Sequence, residues 1–208
     1  MGEHLERFPL FPLGLVLLPG ETVPLHIFEQ RYRTMIDTCL ESDLPFGMLW
    51  MGDAGLKDIG CTARIAQVPE RMDDGRANII VEGAQPFRLE RRVDDMAYPA
   101  GDIELLEDDP GSEGDESDAR VHAHAEYAGL VEKVTDSRPE EADLAGLDAY
   151  AMASTIAFEL ESKQELLEIR SEGERLERLA ELCARAVERF DYAQTVSERA
   201  QTNGKVRH

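Results

Sequence analysis

The sequence predicts an α+β protein, with a β-rich N-terminal half and a helical C-terminal half. Three observations carry this. Up to residue 106, apolar residues fall in short runs with period-two alternation, bounded by Pro and Gly. Residues 107–118, "EDDPGSEGDESD", are acidic and almost without apolar side chains, which reads as a solvated linker. From 119 to 196, apolar residues recur at three- and four-residue spacing behind capping signals. The expected organisation is therefore a β-rich subdomain (1–106), an acidic linker (107–118), a helical subdomain (119–196) and a tail frayed from 197 to 208.

The opening run "FPLFPLGLVLL", Phe8 to Leu18, carries no charge. It is about half the length of a membrane span. Glu3 and Glu6 offset Arg7 where a secretion signal wants positive charge, and no small-residue cleavage site follows. Pro9 and Pro12 oppose a helix there. The run reads as the first strand of a folded domain, and the chain reads as cytoplasmic.

Phe8–Pro12 and Thr22–Ile27 are the first strands, separated by the turn Pro19-Gly20. A helix is expected from Glu29 to Leu40, with Tyr32, Ile36 and Cys39 or Leu40 on one face. Phe46–Met51 is the next strand, followed by a loop, Gly52 to Gly60. In "CTARIAQVPERM", Cys61, Ala63, Ile65 and Gln67 share one face. Asp73-Asp74-Gly75-Arg76 is a hairpin turn, and "ANIIVEGAQPFRLERRV" gives two strands broken at Gly83. "YPAGDIELLED" closes the β half.

The helical half is expected to hold a helix from Asp118 to Val134 and a second through Leu144–Leu160, started by Ser137, Pro139 and Glu140. A short helix "KQELLEI" opens on a Ser162/Glu165 capping box. A long last helix opens on Ser171/Glu174, with Leu176, Leu179, Ala180, Cys183, Val187 and Phe190 along one face.

Charge and motif content narrow the chemistry. With 43 Asp and Glu against 22 Lys and Arg, the net charge is −21, which opposes binding to nucleic acid backbones and anionic membranes. The three cysteines are far apart and form no C-x-x-C pair, so they read as buried thiols of a reducing compartment. No P-loop, G-x-S-x-G or H-E-x-x-H sequence occurs. His122 and His124 are two apart and diverge on a helix, so no metal site is expected there. No cofactor is expected either.

Two segments stand out as binding candidates. Glu29-Gln30-Arg31-Tyr32-Arg33 follows the apolar opening. Arg31 and Tyr32 would supply directional donors to a ligand, or the cluster would brace the helix against neighbouring strands, and the brace is favoured. Trp50 and Met51 lie in "PFGMLWMGD", where a Trp among methionines makes either an adaptable apolar surface or a buried strand. With Phe28 at the edge of the first segment, the candidate polypeptide-binding residues are Phe28, Arg31, Tyr32, Trp50 and Met51.

The segment "FPLFPLGLVLLPGETVPLHIFEQRYRTMI", Phe8 to Ile36, resembles the opening of the N-terminal substrate-binding domain of Lon-type ATP-dependent proteases. "GCTARIAQV", "DGRANIIVEGAQPFRL" and "YPAGDIELLED" follow in that family's order. "SKQELLEIRSEGERLERLAELCAR" resembles its K-Q-x-L-L-E helix and the E-R-L helix behind it. The resemblance runs from Phe8 to Phe190. It implies a PUA-like β pseudo-barrel of about six strands with one helix, followed by a helical subdomain. It implies binding of unfolded or damaged polypeptide rather than catalysis. In full Lon an ATPase and a Ser-Lys peptidase domain follow, and neither motif set occurs in this sequence. The expectation is a stand-alone, non-catalytic adaptor or chaperone-like factor of protein quality control, working with a partner protease or ATPase. Two alternatives stay open: RNA binding, which PUA-like barrels often host and which the Arg88, Arg91, Arg92 cluster would have to carry, and a carboxylate hydrolase.

Overall fold

The computed structural model describes residues 2–109 and 113–203. In chain order its elements are β1 (His4–Leu13), β2 (Thr22–Ile27), α1 (Gln30–Ser42), β3 (Phe46–Gly52), β4 (Gly55–Leu56), β5 (Ile59–Arg71), β6 (Ala77–Val93) and β7 (Ala100–Leu105). The helices α2 (Glu113–Thr135), α3 (Glu141–Leu144), α4 (Ala149–Ser154), α5 (Leu160–Glu168) and α6 (Glu172–Asn203) follow. They form two compact units. One holds the chain up to Asp109 together with Tyr150–Arg170, and the other holds Pro110–Ala149 and the residues from Ser171 onward. The stretch 150–170 thus groups with the strands, whereas the sequence boundary placed all of 119–196 in one helical subdomain.

In the first unit, β1 pairs antiparallel with β7 along one edge and parallel with β3 along the other. The order β1-β7-β6-β5-β3 therefore returns to β1 and closes a ring. Closure leaves fewer exposed strand edges, the recurrent solution for small β proteins. The 17-residue β6 holds β5 on one side, and β2 and then β7 on the other. The described residues hold seven strands; the smallest, β4, is a two-residue return inside the loop expected over 52–60.

The ring is filled by Phe8, Leu10, Leu49, Phe87, Leu89 and Ile103. Each such side chain contributes about 1.5–3 kcal/mol on burial. Gly47 lets the Phe87 ring lie against β3, because a Cβ there would come within 2.6 Å of it. Helix α1 buries Tyr32, Met35, Ile36 and Cys39. The Phe11 ring sits between Tyr32 and Phe46, 4.2 and 6.2 Å away.

Gly83 does not break β6, which is one continuous strand. A Cβ at Gly83 would fall 2.1 Å from the Leu18 carbonyl oxygen. Its N–H donates to the Glu21 carbonyl, and its own carbonyl accepts the Gly20 N–H, both at 2.9 Å. The glycine marks a close backbone approach, not a strand end.

The single helix expected over 144–160 is three pieces. Gly146, at φ 88°, turns the chain after α3. Ser154 and Thr155 then bond back to the carbonyls of Ala151 and Met152, each at 2.8 Å, which ends α4. The start at Ser137 moves to Glu140, whose N–H donates to the Asp143 carboxylate at 3.1 Å. Helix α5 begins at Leu160 with Glu159 as N-cap, so Ser162 lies in its first turn instead of capping it.

In the second unit, α2 starts at Glu113 and takes in the acidic residues up to Asp118. Of the remaining acidic stretch, Asp109 donates its N–H to the Arg170 carbonyl at 2.6 Å and Asp108 pairs with Arg170 at 2.8 Å, while 110–112 lie outside the described residues. Helices α2 and α6 run parallel: His122 bonds Glu177 and Lys133 pairs with Asp191. Ser171 caps α6 by accepting the Glu174 N–H. The helix continues past the tail start at Ser197 to Asn203, and 204–208 lie outside the described residues.

Candidate functional site

Strand β3 carries the chain from the core to the surface. Phe46, Met48 and Leu49 are buried, Trp50 is half-buried and Met51 is 45% exposed. The tight β3–β4 return follows, with Met51 opposite Leu56 and Gly55 at φ 108°. It brings Lys57 back beside Trp50: the Lys57 N–H donates to the Trp50 carbonyl at 2.9 Å, and the ammonium lies 5.8 Å from the indole centroid.

Two depressions flank this strand end, and Met51 lines both. The first, about 390 Å³, includes Arg31, Leu56, Arg92, Met96 and Tyr98. The second, about 640 Å³, includes Trp50, Lys57, Leu160, Glu161 and Glu165. Strand ends and loops supply the first; the β3–β4 return and the outer face of α5 supply the second.

Helix α5 is fixed to the barrel by buried polar contacts. Lys163 donates to both carboxylate oxygens of Glu21 at 2.6 and 2.7 Å, and Glu21 also accepts the Leu18 N–H at 3.0 Å. Gln164 donates to the Ile59 carbonyl at 3.1 Å and to Glu168 at 2.8 Å. Leu166 and Leu167 are buried on the same helix. Glu161, Glu165 and Glu168 share the opposite, exposed face at i, i+4 and i+7. A floor held this firmly presents its outer face in a fixed place.

Of the five candidate binding residues, three line these depressions: Arg31, Trp50 and Met51. Arg31 pairs with Glu29 at 2.9 Å and lies over the Tyr32 ring, 4.6 Å from its centroid. Tyr32 is 7% exposed and belongs to the core. Burial raises the pKa of its hydroxyl, with the Arg31 charge acting the other way. Phe28 is 59% exposed, stacks on His26 and lines neither depression. The rest of the "EQRYR" cluster holds α1 in place: Arg33 bonds the Asp74 carbonyl of the β5–β6 turn and the Gln30 side chain. Met96, Tyr98 and the outer face of α5 escaped the sequence reading as binding residues, and Arg92 was read only within the basic cluster weighed for RNA. A Met and a Tyr in the loop "DDMAYP" between two strands were the available signal.

The thiols offer no nucleophile. Cys39, Cys61 and Cys183 are free and buried, and desolvation pushes them up to about 11, 12 and 12. Among the described residues no three His, Cys, Asp or Glu side chains are grouped to hold a metal ion. No described helix is long and apolar enough to cross a membrane.

Residues 7–185 match the family model described as the ATP-dependent protease La (LON) substrate-binding domain. The chain belongs to the Lon substrate-binding domain family. This Lon-type domain is 22% identical to the Lon protease of Cytophaga hutchinsonii over 97% of its own length and 27% of that protease. It is 25% identical to the Lon protease of Escherichia coli (strain K12) over 85% of its length and 25% of the relative. It thus spans about a quarter of those proteases. Its fold is shared by a Lon N-terminal domain protein from Xanthomonas campestris, with a TM-score of 0.61 and 24% identity over 84% of this chain and 97% of that one. The N-terminal domain of Mycobacterium avium complex Lon protease aligns with a TM-score of 0.65 and 18% identity, over 88% and 98%. In the Lon-type domain, the "KQ" of "SKQELLEI" has a specific structural duty, because Lys163 and Gln164 make hydrogen bonds from α5 to the barrel, at Glu21 and the Ile59 carbonyl.

Proposed function

We propose that this domain is a non-catalytic polypeptide-binding module. It takes unfolded or apolar segments on the surface centred on Met51, and it serves as an adaptor or chaperone-like factor beside a partner protease or ATPase in the cytoplasm. The observation that carries the reading is an exposed methionine next to a half-buried tryptophan, at the end of a rigid strand, between two depressions. Methionine adapts its shape to varied apolar partners. A rigid scaffold keeps the ordering cost of binding low. Family membership supports the same direction, since the matched domain is the substrate-binding one. RNA binding is disfavoured because two of the three clustered arginines are engaged: Arg88 with Glu104 and Arg91 with Asp102.

Trp50 is the only tryptophan of the chain, so its emission reports this surface directly. Titration with a reduced, carboxymethylated client protein is expected to give a saturable change in Trp50 emission. Met51→Asp is expected to weaken it by about tenfold, the effect of losing an apolar contact worth about 1.4 kcal/mol. Absence of any saturable change with several unfolded clients would overturn the reading.

A further inference from the structure

The two depressions that meet at Met51 carry opposite charge. On one side are Arg92, and Arg31 held by Glu29, with Asp94 as the lining acid, so that Arg92 is the cation open to a ligand. On the other are Asp53, Glu161, Glu165 and Glu168 with Lys57 as the base. A chain of net charge −21 is expected to be acidic everywhere, so the cationic side is the informative one. Arg92 is exposed and has no ion pair among the described residues, and neither have Asp53 and Glu161. Met51 is common to both, with Leu56 beside it in the first and Trp50 and Leu160 in the second.

Resting on the polypeptide-binding reading above, we propose that this surface selects segments by charge order as well as apolarity. Its preferred occupant is an extended peptide whose apolar centre sits on Met51, with acidic residues on one flank meeting Arg92. Basic residues on the other flank meet Glu161 and Asp53. Charges at the rim of an interface set partner choice and encounter rate more than total affinity. Each exposed pair is worth up to about fivefold in affinity. Two flanks together give about a tenfold preference over an uncharged peptide.

The test uses the full chain and four synthetic peptides with one shared apolar centre, read by Trp50 emission at low salt. The flanks are Glu on one side and Lys on the other, Ser on both, Lys on both, or Glu on both. The mixed peptide is expected to bind about tenfold tighter than the Ser peptide and tighter than the Lys-only peptide. The preference should collapse at high salt, where screening shortens to about 3 Å. Arg92→Glu is expected to remove the advantage of the mixed peptide and make the Lys-only peptide the tightest. Glu161→Lys should instead move the preference toward the Glu-only peptide. Equal binding of all four peptides, or tightest binding of the Lys-only peptide by the unaltered chain, overturns the charge-order inference and leaves the apolar-binding reading standing. Failure of every peptide, with Trp50 emission unchanged, overturns both.

Discussion

The barrel unit and the helical unit bury their apolar side chains by different means. In the barrel, backbone meets backbone. The ring closes through strand ladders, and close backbone approaches are made at glycines, such as Gly60 against the Met48 carbonyl and Gly83 against the Leu18 carbonyl. In the helical unit, side chain meets side chain. Ala119, Ala123 and Ala128 of α2 are buried, as are Leu176, Leu179 and Ala180 of α6. Charge is buried there too: Arg175 is 1% exposed and pairs with Glu172 at 2.6 Å. The difference is instructive. A closed backbone frame leaves the side chains at the end of β3, Trp50 and Met51, half-buried and exposed at the surface. It also tolerates almost no added atom at its close approaches. A helix pair built on side-chain stripes tolerates more change, but its stability is tied to ionisable groups.

The hardest way to break this comparison is Gly83→Val. It adds an isopropyl group where even its first carbon would overlap a backbone oxygen, and relief requires moving β6 or the Leu17–Pro19 segment. A loss of several kcal/mol is expected, beyond the usual cost of overpacking. The cooperative unfolding transition seen by Trp50 emission should disappear or fall to low urea. A stable Gly83→Val barrel would show that backbone closeness is not what limits the unit.

Lys163→Met comes next. It leaves the Glu21 carboxylate part-buried without its cation, and removing one member of a buried pair costs about 3 kcal/mol. Urea unfolding followed at Trp50 checks it. The double variant Glu21→Leu/Lys163→Met should regain a large part of the loss. If the double is as damaged as the single, the contact matters for position rather than for charge balance.

Ser171→Ala tests the helical unit with a smaller expected effect, about 1 kcal/mol for a lost N-cap, read as a lowered midpoint in far-UV circular dichroism.

The smallest effect is a slope. Burial raises the Glu172 pKa, with the Ala149 N–H and Arg175 pulling it down. The folded state therefore holds the Glu172 proton to higher pH than the unfolded chain does. Its contribution is complete below the ordinary Glu value and is lost as pH rises through the folded pKa. Unfolding free energy measured from the ordinary Glu range up to neutrality should fall less steeply in Glu172→Gln than in the parent chain. An identical slope would show that Arg175 cancels the burial of Glu172.

Much of the barrel was legible because period-two patterning and turn chemistry are local. Thr22–Ile27 is a strand with the bounds expected, and the Asp73–Arg76 turn is present with Gly75 at φ 84°. The pairing of β1 with β3 was not legible, since a parallel contact between Leu10 and Gly47 leaves no local mark. The reading failed at Gly83 because a glycine that ends a strand and one that admits a neighbouring backbone look alike in sequence. It failed over 144–160 because helical spacing continues across residues whose hydroxyls turn back on the chain. For the site, Trp50 and Met51 were visible as an apolar pair of unusual composition. Tyr32 was chosen with Arg31 as a directional donor and is core, packed on Phe11 from the helix face it shares with Ile36 and Cys39.

The anchoring of α5 has a consequence for the order in which the protein is made. The barrel unit needs residues 150–170, yet the chain must first supply Pro110–Ala149, which belong to the other unit. A nascent chain released only as far as Asp109 has every strand but not Lys163 and Gln164, the groups that meet Glu21 and the Ile59 carbonyl. Vectorial synthesis, which ordinarily completes the N-terminal unit first, here delivers the bracing helix of the first-born unit after α2 has emerged. A fragment ending at the acidic stretch thus has all the strands of the ring but not the helix that braces them, and adding a synthetic 150–170 peptide in trans is the direct way to restore it.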